Sequence, residues 1–316
     1  MIYISRIVCV FILTGLASCI SKNNSAGTNS STGVHVPAID SAGELVKYGR
    51  ELMNNTAYYI GPQGISGNYT GTGTSCSNCH QLAGTKPFAF DLVTANSRYP
   101  QYRAREDKVL SLAERINNCV TRPLNGKPIP EGTKEMMAFL AYLKWLDTYA
   151  AQENKEMWGK SLPVQFPGRA ADTIKGAVIY TTRCSRCHGA EGQGRFNADS
   201  VAYLYPPLWG DHAYQAGSSM YRVIKMSGWL KANMPYDSAR YDKPVLSDEE
   251  AFDVAAYVNS RPRPHPSSFD YPRPDKKPID HDRGPYIDSF PALQHKYGPY
   301  QPIIDYWKNK GLKPSY

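Results

Sequence analysis

Two stretches of this chain place apolar side chains at three- and four-residue spacing: Met136, Phe139, Leu140, Leu143 and Leu146, then Ala251, Val254, Ala255 and Val258. That spacing predicts two amphipathic helices, and Ser247-Asp248-Glu249-Glu250 supplies a capping-box start for the second. A third stripe, Val109, Leu112 and Ile116, predicts a helix through "EDKVLSLAERINNC". On that helix Arg115 and Cys119, four apart, share a face. Two further helical segments each carry a glycine, "ELVKYGRELMNN" around Gly49 and "ADTIKGAVIYTTRC" around Gly176.

These elements form a weak internal repeat. Each glycine segment is answered downstream by an Ala-Tyr-apolar triplet within a helix, Ala141-Tyr142-Leu143 and Ala256-Tyr257-Val258. The first half carries a 19-residue insertion, "NTAYYIGPQGISGNYTGTG", which reads as a loop. A linker near "WGKSLPVQFPGRAAD" divides two domains, expected at 37–160 and 161–261. The remaining 55 residues, 262–316, hold 11 of the 24 prolines; this aromatic tail is expected to wrap over both domains.

At the N-terminus Arg6 precedes an apolar run from Ile7 to Leu16, the pattern of an export signal. Leu16-Ala17-Ser18-Cys19 resembles a bacterial lipobox, so residues 1–19 read as a lipoprotein signal ending at an acylated Cys19, and 20–36 as a polar tether. Ile20 stands where an aspartate would signal inner-membrane retention. The expected location is therefore the periplasmic side, anchored in the outer membrane.

The 316 residues suffice for two domains and a sizeable core. A formal charge of +8 suits anionic partners, but no basic run forms a nucleic-acid stripe. A small anion is the better expectation.

Seven cysteines are present. Four fall in "CSNCH" (Cys76, Cys79, His80) and "CSRCH" (Cys184, Cys187, His188), the C-x-x-C-H signature of covalent c-type haem. Two thiols so spaced can add to the two haem vinyl groups, and the adjacent histidine then lies beneath the iron. Zinc would need four ligands drawn from both motifs, and a redox disulfide would not need the histidine twice. Cys9 belongs to the signal and Cys19 to the lipobox, which leaves Cys119 as the free thiol. With haem attached between an N-terminal and a C-terminal helix that cross at a glycine, each half resembles the class I cytochrome c fold. The fold class expected is mainly α, two such domains and a Pro/Tyr-rich extension.

Each iron has a second position to fill, and its ligand sets the potential. In the second domain His212, Met220, Lys225, Met226, Lys231 and Met234 are candidates. Met234 is favoured because "NMP" puts it in a non-helical loop 46 residues after His188. In the first domain Cys119, 39 residues after His80, is the remaining soft donor, and spacing alone leaves a ligand and a buried inert thiol both open. Met136 and Met137 are read as core, since Met136 fits the helical stripe.

The segments "RINNCVTRPLNGKPIP…KEMMAFLAYLKWL", "WLKANMP", "LSDEEAFDVAAYVNSRPRP" and "HDRGPYIDSFPALQHKYGPYQPIIDYWK" resemble the dihaem thiosulfate dehydrogenases over nearly all of the chain after the leader. The resemblance implies two covalent haems and a reaction joining two thiosulfates into tetrathionate, with electrons passed to an acceptor cytochrome or other redox partner. Some members favour the reverse reduction. It also implies that Cys119 and Met234 are the distal ligands of the first and second haems, and that Arg105 and Arg115 are active-site arginines. Two positions depart from the family pattern. Asn233 stands where some members have a lysine that exchanges with the methionine, and Pro123 where a serine is common. Dianionic substrates suit the crowd of Arg98, Arg103, Arg105, Arg115 and Arg122, of which Arg98, Arg103 and Arg122 are expected to be solvated. An electron-transfer cytochrome without chemistry of its own, or another exported haem enzyme of sulfur oxidation, is the alternative.

Overall fold

The protein is described here from a computed structural model covering residues 39–150, 159–265 and 271–316. The signal, the lipobox Cys19 and the tether lie outside these residues. Among the described residues no helix is long and apolar enough to cross a membrane.

The first domain is built from α1 (Glu44–Asn54), α2 (Thr56–Ile60), α3 (Gln81–Gly84), α4 (Leu112–Thr121) and α5 (Lys134–Ala150). Met136, Phe139, Leu143 and Leu146 of α5 are buried, with Leu52, Met53 and Ile60 facing them, whereas Met137, expected in the core beside Met136, is exposed because one residue along the helix turns it off the apolar stripe. Each fully buried aliphatic of this set contributes about 1.5–3 kcal/mol. The crossing of α1 and α5 is set by Gly49: a Cβ there would stand 2.1 Å from the Ala138 carbonyl oxygen and 2.6 Å from Tyr142 Cβ.

The second domain repeats the device with α6 (Thr173–Arg183), α7 (Ser185–His188), α8 (Val223–Asn233) and α9 (Asp248–Ser260). A Cβ on Gly176 of α6 would meet the Asp253 carbonyl oxygen at 2.0 Å and Tyr257 Cβ at 2.8 Å, both on α9. Glycine and tyrosine thus meet at both crossings. Helix α9 starts at its capping box, with Ser247 Oγ accepting from the Glu250 amide and the Glu250 carboxylate from the Ser247 amide.

Three further expectations are corrected. The insertion is not wholly a loop: α2 buries Thr56, Ala57 and Ile60, because two apolar residues three apart let one helical turn seal the core. Val109 is not helical. Its strand β2 (Lys108–Leu110) pairs antiparallel with β1 (Gln101–Arg103), and a second capping box, Ser111 with Glu114, starts α4 only at Leu112. Of the arginines expected to be solvated on a basic helix, Arg98 is exposed, but Arg103 is on strand β1 and Arg122 is mostly enclosed.

A second two-stranded ribbon pairs β3 (Arg195–Phe196) with β4 (Tyr203–Tyr205). The tail contributes α10 (Ala292–Tyr297) and α11 (Gln301–Asn309). It anchors Ile279, Tyr300, Ile303, Ile304 and Trp307 in the second core. Its Tyr271 amide donates to the Arg105 carbonyl of the first domain at 2.9 Å.

Candidate active site

Both C-x-x-C-H motifs sit directly beneath the helix crossings. In the first, Cys76 opens a single 3-10 turn whose start is fixed by Thr56 of α2, its hydroxyl accepting from the Cys76 amide at 2.9 Å. The His80 amide then closes on the Cys76 carbonyl at 2.8 Å. In the second, Cys184 caps α6 and His188 ends α7.

The two histidines are oriented in the same way. His80 Nδ1 lies 2.6 Å from the Phe90 carbonyl oxygen and His188 Nδ1 2.8 Å from that of Pro206. A proton on Nδ1 makes each of these a donor bond and leaves Nε2 as the ligating nitrogen. Burial lowers the His80 pKa to about 4, opposed by the Phe90 carbonyl and reinforced by Arg115. Burial likewise lowers that of His188. Both imidazoles are therefore neutral near pH 7, as a metal ligand must be. Among the described residues all five cysteines are free of disulfides. Thiols, tautomers and charge states all fit covalent haem at both motifs.

Cys119 projects from α4 into the first of these sites. Burial raises the Cys76 thiol to about 11 and the Cys79 thiol to about 12, and Cys119 is near enough to add to both. One helical turn back, Arg115 donates from Nη1 to Cys119 Sγ at 3.0 Å. The guanidinium pKa is raised first by Cys119, with burial opposing and Tyr99 and Glu106 assisting. The structure thus gathers Cys76, Cys79, His80, Arg115 and Cys119 at one locus.

Arg105 sits in the turn between β1 and β2, near Arg122 at the end of α4, whose guanidinium is acted on by both Arg105 and Arg115. It donates to the Gly217 carbonyl at 2.8 Å and stacks on Tyr271 with 5.0 Å to the ring centre, two neutral groups that leave its charge in place. Beside it is a small cleft of about 10 Å³ lined by Ser218, Arg222, His281, Asp282 and Lys296, room for about one water molecule. Burial, then Arg105 and Arg222, holds His281 down to about 3. A wider groove beside Arg169 and Glu249 is lined by no residue of either haem motif.

Glu106, next to Arg105 in the sequence, was the signal that charge there is partly compensated. Its carboxylate takes Arg122 at 2.7 Å and Asn118 at 3.0 Å. The loop 213–218 of the second domain closes over the end of α4, with Gln215 donating to the Thr121 carbonyl and Asn125 to that of Ala213, each at 2.8 Å.

In the second site Met234 caps the C-terminus of α8 in extended conformation, partly buried against the second core. Of the other candidates, two have partners of their own and Met220 is buried in the second core. Lys231 pairs with Asp248, Met226 Sδ accepts from Asn259 at 3.3 Å, and His212 is exposed.

Two haem motifs, each beneath a glycine-tyrosine helix crossing and each with its histidine held by a backbone carbonyl, define a dihaem c-type cytochrome. Family comparisons agree: the SoxA/TsdA cytochrome c domain matches residues 68–147 and the Cytochrome c domain residues 174–262. The thiosulfate dehydrogenase of Stutzerimonas stutzeri is 37% identical over 223 residues, 70% of this chain and 68% of that protein. That of Allochromatium vinosum is 34% identical over 226 residues, 70% and 79% of the two chains. Among solved structures, the thiosulfate dehydrogenase TsdBA of Marichromatium purpuratum, in its as-isolated form, superposes with a TM-score of 0.66 at 31% identity, covering 76% of this chain. This chain spans about half, 52%, of that longer one. The chain belongs to the thiosulfate dehydrogenase family, and its cofactors are two covalently attached haem c groups.

Proposed function

We propose that this protein joins two thiosulfate ions into tetrathionate at Cys119 and hands the two electrons to a redox partner. One observation carries the proposal: within this family's fold, a charged arginine donates to the sulfur of Cys119, among the described residues the one cysteine outside the haem motifs, 3.0 Å away, at the first haem motif.

The chemistry follows from those residues. His80 and Cys119 would hold the first iron, His188 and Met234 the second, and each haem when bound supplies a one-electron acceptor, the thiolate-ligated one at the lower potential. Arg115 stabilises the Cys119 thiolate and, with Arg105, offers positive charge to a dianion in an enclosed site. A first thiosulfate forms a sulfur–sulfur bond between its outer sulfur and Cys119 Sγ, and two electrons leave, giving a cysteinyl thiosulfonate. The outer sulfur of a second thiosulfate attacks the adduct at its sulfane sulfur. The bond to Cys119 breaks, tetrathionate departs and the thiolate is regenerated. The same steps run backwards describe tetrathionate reduction, so direction depends on the potential of the partner. The export signal and Cys19 lead us to propose a lipid-anchored periplasmic enzyme, consistent with covalent haem attachment outside the cytoplasm.

The test is stoichiometric. Purified holoprotein with thiosulfate and a one-electron acceptor should yield one tetrathionate per two thiosulfates consumed and two acceptors reduced. Failure of thiosulfate to reduce the haems would refute the proposal in favour of a pure electron carrier. Tetrathionate supplied with a reduced donor, on the same preparation, tests the reverse direction.

A further inference from the structure

The loop that orients His80 is held from the other domain. Phe90 supplies the carbonyl that fixes the imidazole, yet its ring packs against the second core. Two residues earlier, the Phe88 ring meets Tyr241 at 5.1 Å between ring centres. The Phe88 carbonyl accepts from Asn233 Nδ2 at 3.1 Å. Both phenylalanines have positive φ, 58° for Phe88 and 51° for Phe90, a strained setting for bulky residues that persists only when its surroundings impose it.

Asn233 is fully buried and also bonds the Trp229 carbonyl at 2.9 Å, within α8. The Trp229 indole in turn donates to the Cys79 carbonyl at 3.1 Å, inside the first haem motif. Met234, the residue proposed for the second iron, follows as the C-cap of helix α8. The end of α8 therefore touches the first motif once, at Cys79, and its histidine-orienting loop once, at Phe88, and runs directly into the residue proposed as a ligand of the second iron.

We infer that Trp229 and Asn233 are positioning residues of the first haem site, acting from the second domain: they fix the 88–90 loop and the Cys79 peptide, and so set how strongly Phe90 accepts from His80. A stronger Nδ1–H bond makes the imidazole a more electron-rich ligand, which favours the oxidised iron. Loosening the loop should raise the potential of the first haem and narrow its separation from the second.

The inference rests on the two-haem reading above, which a haem stain of the denatured protein tests separately. Two variants are compared as holoproteins: Trp229→Phe, which keeps the ring and removes the donor, and Asn233→Ala. The readouts are spectroelectrochemical titration of both haems and the near-infrared bands that report axial ligation of the first. In each variant the one-electron reduction equilibrium of the first haem should shift upward by about three- to tenfold, the upper end corresponding to ~59 mV, with the second haem moving less in Trp229→Phe. Gain of that shift with both haems attached supports the role. An unchanged first-haem potential, or a shift confined to the second haem, overturns it, even if the melting temperature falls.

Discussion

Replacing Gly176 with alanine tests the helix crossing on which the second haem motif depends. The added Cβ would lie 2.0 Å from the Asp253 carbonyl oxygen, 2.6 Å from that carbonyl carbon and 2.8 Å from Tyr257 Cβ. An ordinary contact needs roughly 3.5 Å, so α6 and α9 must part by more than an ångström. Two of these obstacles are backbone atoms and cannot rotate away. Overpacking of this kind costs about 1–3 kcal/mol, here at the upper end, while alanine returns up to ~1 kcal/mol of helix propensity. The net loss is about 2 kcal/mol, or ~4–8 °C in melting temperature for a body of this size. Thermal melts of the holoprotein, followed in the haem band, would measure it. Gly168, which has no atom within 4 Å of its Cβ position and no positive φ, is the control, and Gly168→Ala should stay within about 0.5 kcal/mol. If Gly176→Ala melts within about 1 °C of the parent, the crossing is not what glycine serves there.

Other substitutions probe the chemistry and its supports. Arg115→Met should lower kcat/KM by about 10²–10³-fold with both haems in place, whereas Arg115→Lys should keep part of the activity; initial rates distinguish them. Asp91 is buried and its carboxyl is raised to about 6, against the Gly159 amide and Arg98. Its ionised form is thus disfavoured on folding: stability is greatest below the usual aspartate range, declines as pH rises to about 6, and stays low above. Asp91→Asn should abolish that decline and add about 2–3 kcal/mol at pH 7.5 in denaturant titrations; equal stability of the two proteins there would refute this. Asp280 is fully buried against Arg222, linking the tail to the start of α8. Asp280→Ala should cost about 3–5 kcal/mol by stranding the guanidinium, measured by chemical unfolding.

The features legible in the sequence were those with local causes. The two haem pentapeptides, the α5 and α9 stripes and the Ser247 capping box all lie within a few residues of what determines them. Gly49 and Gly176 could be read because the repeat gave each a tyrosine partner to compare. The start of α4 was misplaced because Val109 falls into helical phase by accident, while the capping box at Ser111 and the pairing of β2 with β1 decide the boundary. Helix α2 was hidden because a five-residue helix is shorter than the window in which periodicity can be detected. The contacts of Trp229 with Cys79 and of Asn233 with Phe88 join residues 150 and 145 positions apart, and no local pattern encodes them. Glu106 was visible as an acid beside Arg105 in a basic stretch, but its choice of Arg122 and Asn118 is set by how β2 and α4 pack.

The most direct test of the mechanism is Cys119→Gly. The variant should retain both haems, since Cys76, Cys79, Cys184 and Cys187 make the covalent attachments. It should lose the thiolate signature of the first haem and form no tetrathionate from thiosulfate. Near-normal tetrathionate formation by a dihaem Cys119→Gly protein would contradict the central role of that sulfur.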